Sequence, residues 1–165
     1  GTDVKFVVLA NSTEIVLVAN RSVAIEGDIV LTADTGGRVI LKDGFEYHDE
    51  GTILSVVPAS GQRGTEVTIF GTSLLGYGPA IDTVTMNGNS ASIVEQTDLY
   101  VVVTAPDGNP GVGDVVIAST SGAYITAFDG WTFVERGVIS LVEPNRGQVG
   151  SIIEITGVNL LTGAP

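Results

Sequence analysis

The sequence predicts an all-β protein made of tandem immunoglobulin-like β-sandwiches, with incomplete sandwiches at both ends. Three observations carry that expectation. The composition is that of strands, short alternating apolar segments are separated by turn residues, and a long stretch of sequence recurs at a fixed spacing.

At 165 residues and 44% hydrophobic content the chain can bury one ordinary core or two small ones. It has 22 Gly and many Val, Ile and Thr, but no blocks of Ala, Leu, Glu and Lys of the helix-forming kind. Without Cys there can be neither a disulfide framework nor a thiolate metal site. One His and one Met leave little material for metal or nucleophile–base chemistry, and no cofactor is expected. No apolar run approaches the ~20 residues of a membrane span, so membrane insertion is not expected. No leader pattern is read at the start, so a secreted origin would imply a trimmed chain. A net charge of −12 argues against nucleic acid, whose phosphates are bound by clustered Lys and Arg.

The recurrence is the strongest signal. The stretch "DGFEYHDEGTILSVVPASGQRGTEVTIFGTSLLG" begins at Asp43 and "DGWTFVERGVISLVEPNRGQVGSIIEITGVNLLTG" at Asp129, an ungapped offset of 129 − 43 = 86. Gly51/Gly137, Pro58/Pro144, Gly61/Gly147, Gly64/Gly150, Ile69/Ile155 and Gly71/Gly157 all pair at that spacing. Upstream, "EGDIVL" at Glu26 lies over "VGDVVI" at Val112, and "IVLVA" at Ile15 over "VVVTA" at Val101. The chain therefore divides into the back part of one repeat (1–50), a complete repeat (51–136) and the first two strands of a third (137–165). By this reading 1–50 lacks its first two strands. "TDVKF" at Thr2 is matched to "DTVTM" at Asp82, and Pro165 to Pro79, which makes the two ends look like the sides of one cut.

Each element of the complete repeat follows from its residues. "TILSVVP", "TEVTIFG", "AIDTVTMNG", "SASIV", "DLYVVVTAP", "GDVVIAS" and "YITAFDGWTFVE" are β-type segments bounded by Gly, Pro, Asn and Asp. About seven strands with turns every 8–12 residues is the immunoglobulin-type pattern. Period-two alternation points Val67, Ile69, Leu99, Val101 and Val103 inward, with Glu66, Thr68 and Tyr100 outward. "DVVI" at Asp114 is apolar on both parities, as in a strand covered on both faces.

These residues carry a resemblance. "ILSVVPASGQRGTEVTIFGTSLLG" resembles the opening of an IPT/TIG domain, with its I-x-S-I-x-P, its Gly-x-x-Gly-Thr turn and its V-T-I-x-G strand. "DGWTF" and "DGFEY" resemble the aromatic pair that closes such domains. The resemblance implies the sandwich fold. Function it leaves open, since the family occurs in surface receptors, secreted enzymes, bacterial surface arrays and transcription factors, the last of which the charge disfavours.

Other motifs have bland readings beside sharper ones. The pairs Gly27-Asp28, Gly113-Asp114, Asp43-Gly44 and Asp129-Gly130 read as turn chemistry, with calcium ligation the alternative. "YHDEG" at Tyr47 holds the single His, but "FVERG" at the matching position has lost it, so a solvated linker is expected. Phe45, Tyr47, Trp131 and Phe133 alternate on closing strands and read as core, with sugar stacking the alternative. Asn11 ("NST") and Asn20 ("NRS") match the N-glycosylation pattern, and Thr-rich stretches offer O-linked sites. No Ser/His/Asp set and no Gly-rich loop opening a helix is present, so no enzyme is expected.

Function is then argued from the two flanks. A sandwich short of strands exposes apolar side chains and unpaired edges. The C-terminal flank would donate Ile139, Val142, Ile153, Ile155 and Leu160, and the N-terminal flank would accept them against Ile15, Leu17, Ile29, Leu31, Phe45 and Tyr47. Between copies this gives a head-to-tail homopolymer, an extracellular or cell-surface fibre joined by strand donation. The alternative is a segment of a continuous IPT/TIG array in an adhesion or receptor protein, or an accessory region of a secreted glycan-active enzyme. Its flanks would then meet adjoining repeats of the same chain.

Overall fold

The computed structural model describes residues 3–161 apart from Lys5. It is all-β, and the described residues contain no helix. Thr2 and Pro165, used above to match the ends, lie outside the described residues. The chain divides into two compact units, 1–49 and 50–165.

The second unit contains an eight-stranded sandwich: β5 (Thr52–Val57), β6 (Ser60–Gly61), β7 (Glu66–Thr72), β8 (Ile81–Met86), β9 (Asn89–Gln96), β10 (Tyr100–Thr104), β11 (Gly111–Ser119) and β12 (Tyr124–Phe133). All seven segments read from the sequence are strands, and the two-residue β6, parallel to β12, is one the turn residues around it conceal. The order is β5-β7-β10-β9-β8-β11-β12-β6. β9 belongs to both layers: Asn89, Ser90 and Ala91 pair with β8, whereas Ser92, Ile93, Glu95 and Gln96 pair with β10. One strand thus turns the corner between the two faces that enclose the core.

That core follows the alternation. Val67, Ile69, Val101, Val103, Val84, Met86, Val115 and Ile117 are buried, closed by Trp131 and Phe133 in an edge-to-face pair 5.7 Å apart. Leu99 is a correction, because it is 63% exposed. It precedes β10 in a turn where Thr97 Oγ1 accepts the Leu99 and Tyr100 N–H groups, and alternation begins only once the chain enters the ladder. Val116 is half-buried, so the double-faced reading of "DVVI" holds on the Val115/Ile117 side alone.

Two flanking sets of hairpins repeat these ladders. In the first unit β1 (Phe6–Ala10) pairs with β2 (Ile15–Val18), and β3 (Ile25–Thr32) with β4 (Arg38–Tyr47). In the second unit β13 (Val138–Glu143) pairs with β14 (Glu154–Val158). Every pair recurs in the sandwich 86 residues away: Ile25↔Tyr47 is Gly111↔Phe133, Val138↔Val158 is Thr52↔Thr72, and Leu17↔Val7 is Val103↔Ile93. The bulges recur too, at Gly27/Ile29 and Gly113/Val115, at Ile53/Ser55 and Ile139/Leu141, and at Val7/Leu9 and Ile93/Glu95.

This register revises one expectation. β1 stands where β9 stands, not where β8 does, so the match of "TDVKF" to "DTVTM" fails and the offset of 86 runs unbroken to Phe6. The counterparts of β8 would begin at 81 − 86 = −5 or 81 + 86 = 167, outside the 165-residue sequence.

Strand lengths have a physical rule. Glu14, Ala33, Ile152 and Ile153 lie outside strands, although their counterparts Tyr100, Ser119, Glu66 and Val67 lie within them. In the strand ladders each of those counterparts has its partner on one neighbouring strand: Tyr100, Glu66 and Val67 across the β7–β10 ladder, Ser119 on β8. Residues 3 and 4 likewise match Asn89 and Ser90, which pair with β8. A flanking strand stops where the described residues hold no counterpart of its ladder partner.

Candidate interaction surfaces

The recurring Asp residues act as clamps across a bulged hairpin. The Asp43 N–H donates to Asp28 Oδ1 at 3.0 Å, and the Asp129 N–H to Asp114 Oδ1 at 2.9 Å. Asp43 and Asp129 take φ of 48° and 51°, a left-handed conformation that Asp tolerates better than most residues. The N–H from Asp43, with Lys42 adding attraction at 3.4 Å, holds the Asp28 carboxyl below the usual carboxylate range. Turn chemistry therefore accounts for these pairs, and no group of three or more His, Cys, Asp or Glu able to hold a metal occurs among the described residues.

Asn11 has a similar local role. Its Oδ1 accepts the Thr13 and Glu14 N–H groups, each at 2.8 Å, and the Thr13 hydroxyl at 2.9 Å. It occupies the place that Thr97 fills in the sandwich, where a hydroxyl accepts the same two N–H groups. Asn20 Oδ1 accepts the Arg21 N–H at 2.9 Å. Both Asn are exposed, flanking β2.

The flanking aliphatic residues lie on hairpins whose faces are open. Ile15, Leu17, Ile29, Leu31 and Phe45 are exposed in the first unit, as are Ile139, Ile153, Ile155 and Leu160 in the second, whereas Tyr47 and Val142 are half-buried. The ladders set Leu17 opposite Val7, Ile29 opposite Leu41, Leu31 opposite Val39 and Val142 opposite Ile155. Phe45 and Tyr47 form an edge-to-face pair at 4.9 Å like Trp131 and Phe133, yet Phe45 is 48% exposed where Trp131 is 0%. Core packing thus holds for one aromatic pair and not for Phe45. Trp131 shares one buried cluster with Val67 and Ile69 of β7 and Val101 and Val103 of β10, and among the described residues the first unit has no strand in the place of β7.

On the sandwich itself, an open cleft of about 590 Å³ is lined by Asn87, Asn89, Asp107, Asn109, Glu135 and Arg136, with an Arg136–Asp107 ion pair. It is polar and holds no nucleophile with an adjacent base. On the outer face the Tyr100 hydroxyl donates to Glu95 Oε1 at 2.5 Å. That bond, and the carboxylate's charge, raise the Tyr100 phenol above its ordinary value. The bond therefore stabilises the fold below the ordinary phenol range and is lost as pH rises through the folded value. Ultraviolet titration should show one late-ionising tyrosine that disappears in Tyr100→Phe and moves down in Glu95→Gln.

Residues 52–133, about half of the chain, match the family described as IPT/TIG domain. The sandwich is an IPT/TIG domain. A cyclomaltodextrin glucanotransferase from Geobacillus stearothermophilus is 30% identical over 110 residues, covering 61% of this chain and 15% of the enzyme. The chain thus corresponds to a small part of this curated relative. Among solved structures, the γ-cyclodextrin glucanotransferase (Gamma-CGTASE) of alkalophilic Bacillus clarkii is 18% identical, with a TM-score of 0.46 over 64% of this chain and 17% of its own. The Bacteroides ovatus mixed-linkage glucan utilization locus protein SGBP-B, solved with a mixed-linkage heptasaccharide, is 18% identical, with a TM-score of 0.43 over 84% of this chain and 38% of its own.

Proposed function

We propose that the chain is a run of tandem TIG units, 1–50, 51–136 and 137–165, in an extracellular or cell-surface protein, where they serve as accessory modules of a larger glycan-active or glycan-binding polypeptide. The observation that carries this reading is the ladder recurrence: pairs, bulges and Asp clamps all repeat at 86 residues, as stacked copies of one module would. The 30% identity to a glucanotransferase supports the glycan context. Such modules space and orient neighbouring domains. An antibody against the TIG domain should detect a native polypeptide far larger than 17.0 kDa. A native chain of that mass, with or without sugar, would sink the array reading.

The open aliphatic faces favour a second reading, the self-assembling fibre. Purified protein would then run as polymers that survive dilution, and removal of residues 138–165 would leave non-assembling material. In either setting a eukaryotic secretory host is expected to add N-linked glycan at Asn11 and Asn20. The three bonds at Asn11 all use Oδ1, and the glycan is carried by the amide nitrogen. Enzymatic deglycosylation should lower the mass of the wild type and not that of Asn11→Gln/Asn20→Gln.

A further inference from the structure

Two exposed tyrosines stand at one end of the TIG domain. Tyr77 is 58% exposed in the loop between β7 and β8, and Tyr124 is 75% exposed at the start of β12. The loop and the β11–β12 turn touch there, since a Cβ at Gly76 would lie 2.7 Å from Ala123 Cβ. Each tyrosine directly follows one of those two contact residues. The turn grips the loop: Ser119 Oγ donates to the Leu75 carbonyl at 2.5 Å, and Ser121 Oγ to the Gly76 carbonyl at 2.7 Å. The Leu75 N–H donates to Asp98 Oδ1 at 3.2 Å, which ties the same loop to the turn before β10. Tyr77 is held at φ 59°, in the left-handed region that a bulky side chain disfavours. At the matching place, 77 + 86 = 163, the sequence has Gly163, the residue that suits such a backbone. A strained backbone that carries a largely exposed ring costs the fold stability with little return in packing, and such strain gathers at ligand clamps. We propose that Tyr77 and Tyr124 form a platform on which a neutral glucan chain stacks. The proposal rests on the reading of the chain as an accessory module in a glycan setting.

Chemistry, size and charge favour a sugar over another occupant. A pyranose has a face of C–H groups and a rim of hydroxyls, and tyrosine offers an apolar ring beside a hydroxyl. The surroundings are hydroxyl-rich: Ser73 Oγ donates to Tyr77 Oη at 3.5 Å, and Thr120 Oγ1 to the Ala80 carbonyl at 2.9 Å. The exposed parts of the two rings offer on the order of 250 Å², well short of the roughly 800 Å² per partner of a stable protein interface. A net charge of −12 works against anionic polysaccharides and phosphates, which leaves an uncharged chain. Because the loop is already fixed by the Ser119, Ser121 and Asp98 bonds, stacking on it requires little further ordering.

Calorimetric titration of the full chain with maltoheptaose, and separately with a mixed-linkage β-glucan heptasaccharide, tests the platform and separates α-linked from β-linked chains. At least one of the two should bind. Tyr77→Gly and Tyr124→Ala should each weaken that binding on the order of tenfold or more. Tyr77→Phe keeps the ring and should retain most of it. Thermal unfolding supplies a second readout: Tyr77→Gly should leave the melting temperature unchanged or raise it, because Gly relieves the left-handed backbone. A clear fall in melting temperature would make Tyr77 a structural residue and overturn its role as a clamp. A wild-type chain that binds neither oligosaccharide would overturn the platform, while the tandem-unit reading would still stand or fall on the mass of the native polypeptide. Binding that survives both substitutions would keep the glycan setting and overturn this site. Self-association in sedimentation that is lost with the tyrosines, without glucan binding, would assign the platform to a second copy and overturn the glucan. Trp131 fluorescence verifies that each variant retains its folded sandwich.

Discussion

Trp131→Ala should destabilise the sandwich by about 3–5 kcal/mol, the range for emptying a large buried aromatic site. For a domain of this size that corresponds to a fall in melting temperature of roughly 12 °C or more. Trp131 is fully buried, packs on Phe133 and closes the core between the two layers. Trp131→Phe should cost less, because it keeps much of the apolar area and removes an indole N–H that is buried with no acceptor. The informative contrast is Phe45→Ala. Phe45 holds the same ladder position one unit earlier, opposite Gly27 as Trp131 is opposite Gly113, yet it is half open to solvent. Its truncation should cost about 1 kcal/mol or less and leave the Trp131 fluorescence transition where it was. A Phe45→Ala effect as large as that of Trp131→Ala would mean that the first unit packs as a finished core.

Gly71→Ala comes next in size. A Cβ at Gly71 would strike the Thr52 carbonyl oxygen, come within 2.6 Å of Leu74 Cδ2 and press on Ile53 Cα at 3.2 Å. Two of those atoms are backbone of the strand paired with it, so the clash can be relieved only by prising β5 from β7. The expected loss is about 1–3 kcal/mol or more in thermal or urea unfolding. Gly157→Ala makes the same collision in the β13–β14 hairpin, against the Val138 carbonyl and Leu160 Cδ2 at 2.8 Å. There it should speed amide exchange in the hairpin without moving the Trp131 transition. If Gly157→Ala lowers the sandwich's stability as far as Gly71→Ala does, the hairpin is an integral part of that core.

The fold was largely legible because strands joined by short turns write their pattern locally. Val67/Ile69 and Val101/Val103 alternate with polar residues, and the burial of each follows from the period of two. Leu99 was misread because the Thr97 turn delays the ladder, and a hydrogen bond from one hydroxyl is invisible to periodicity. β6 was missed because two residues between a Pro and a Gly-rich turn carry no alternation at all. The Asp28 and Asp114 clamps were legible: an Asp repeating at the same place beside a Gly reads as a position that bonds backbone, and each accepts the N–H of Asp43 or Asp129.

What the sequence by itself determined is the unit and its period. Alternation, turn residues and an offset of 86 define a TIG domain with copies of its ladders on either side. Only the tertiary structure decided the register of the first hairpin, the place of each bulge, and which side chains are covered among the described residues. The physical reason is that alternation is a property of one strand, whereas an edge exists only relative to its neighbour. Leu17 and Val103 read alike along the chain, and one is exposed while the other is buried because Val103 has β7 beside it and shares a closed cluster with Val115, Ile117 and Trp131 of β11 and β12.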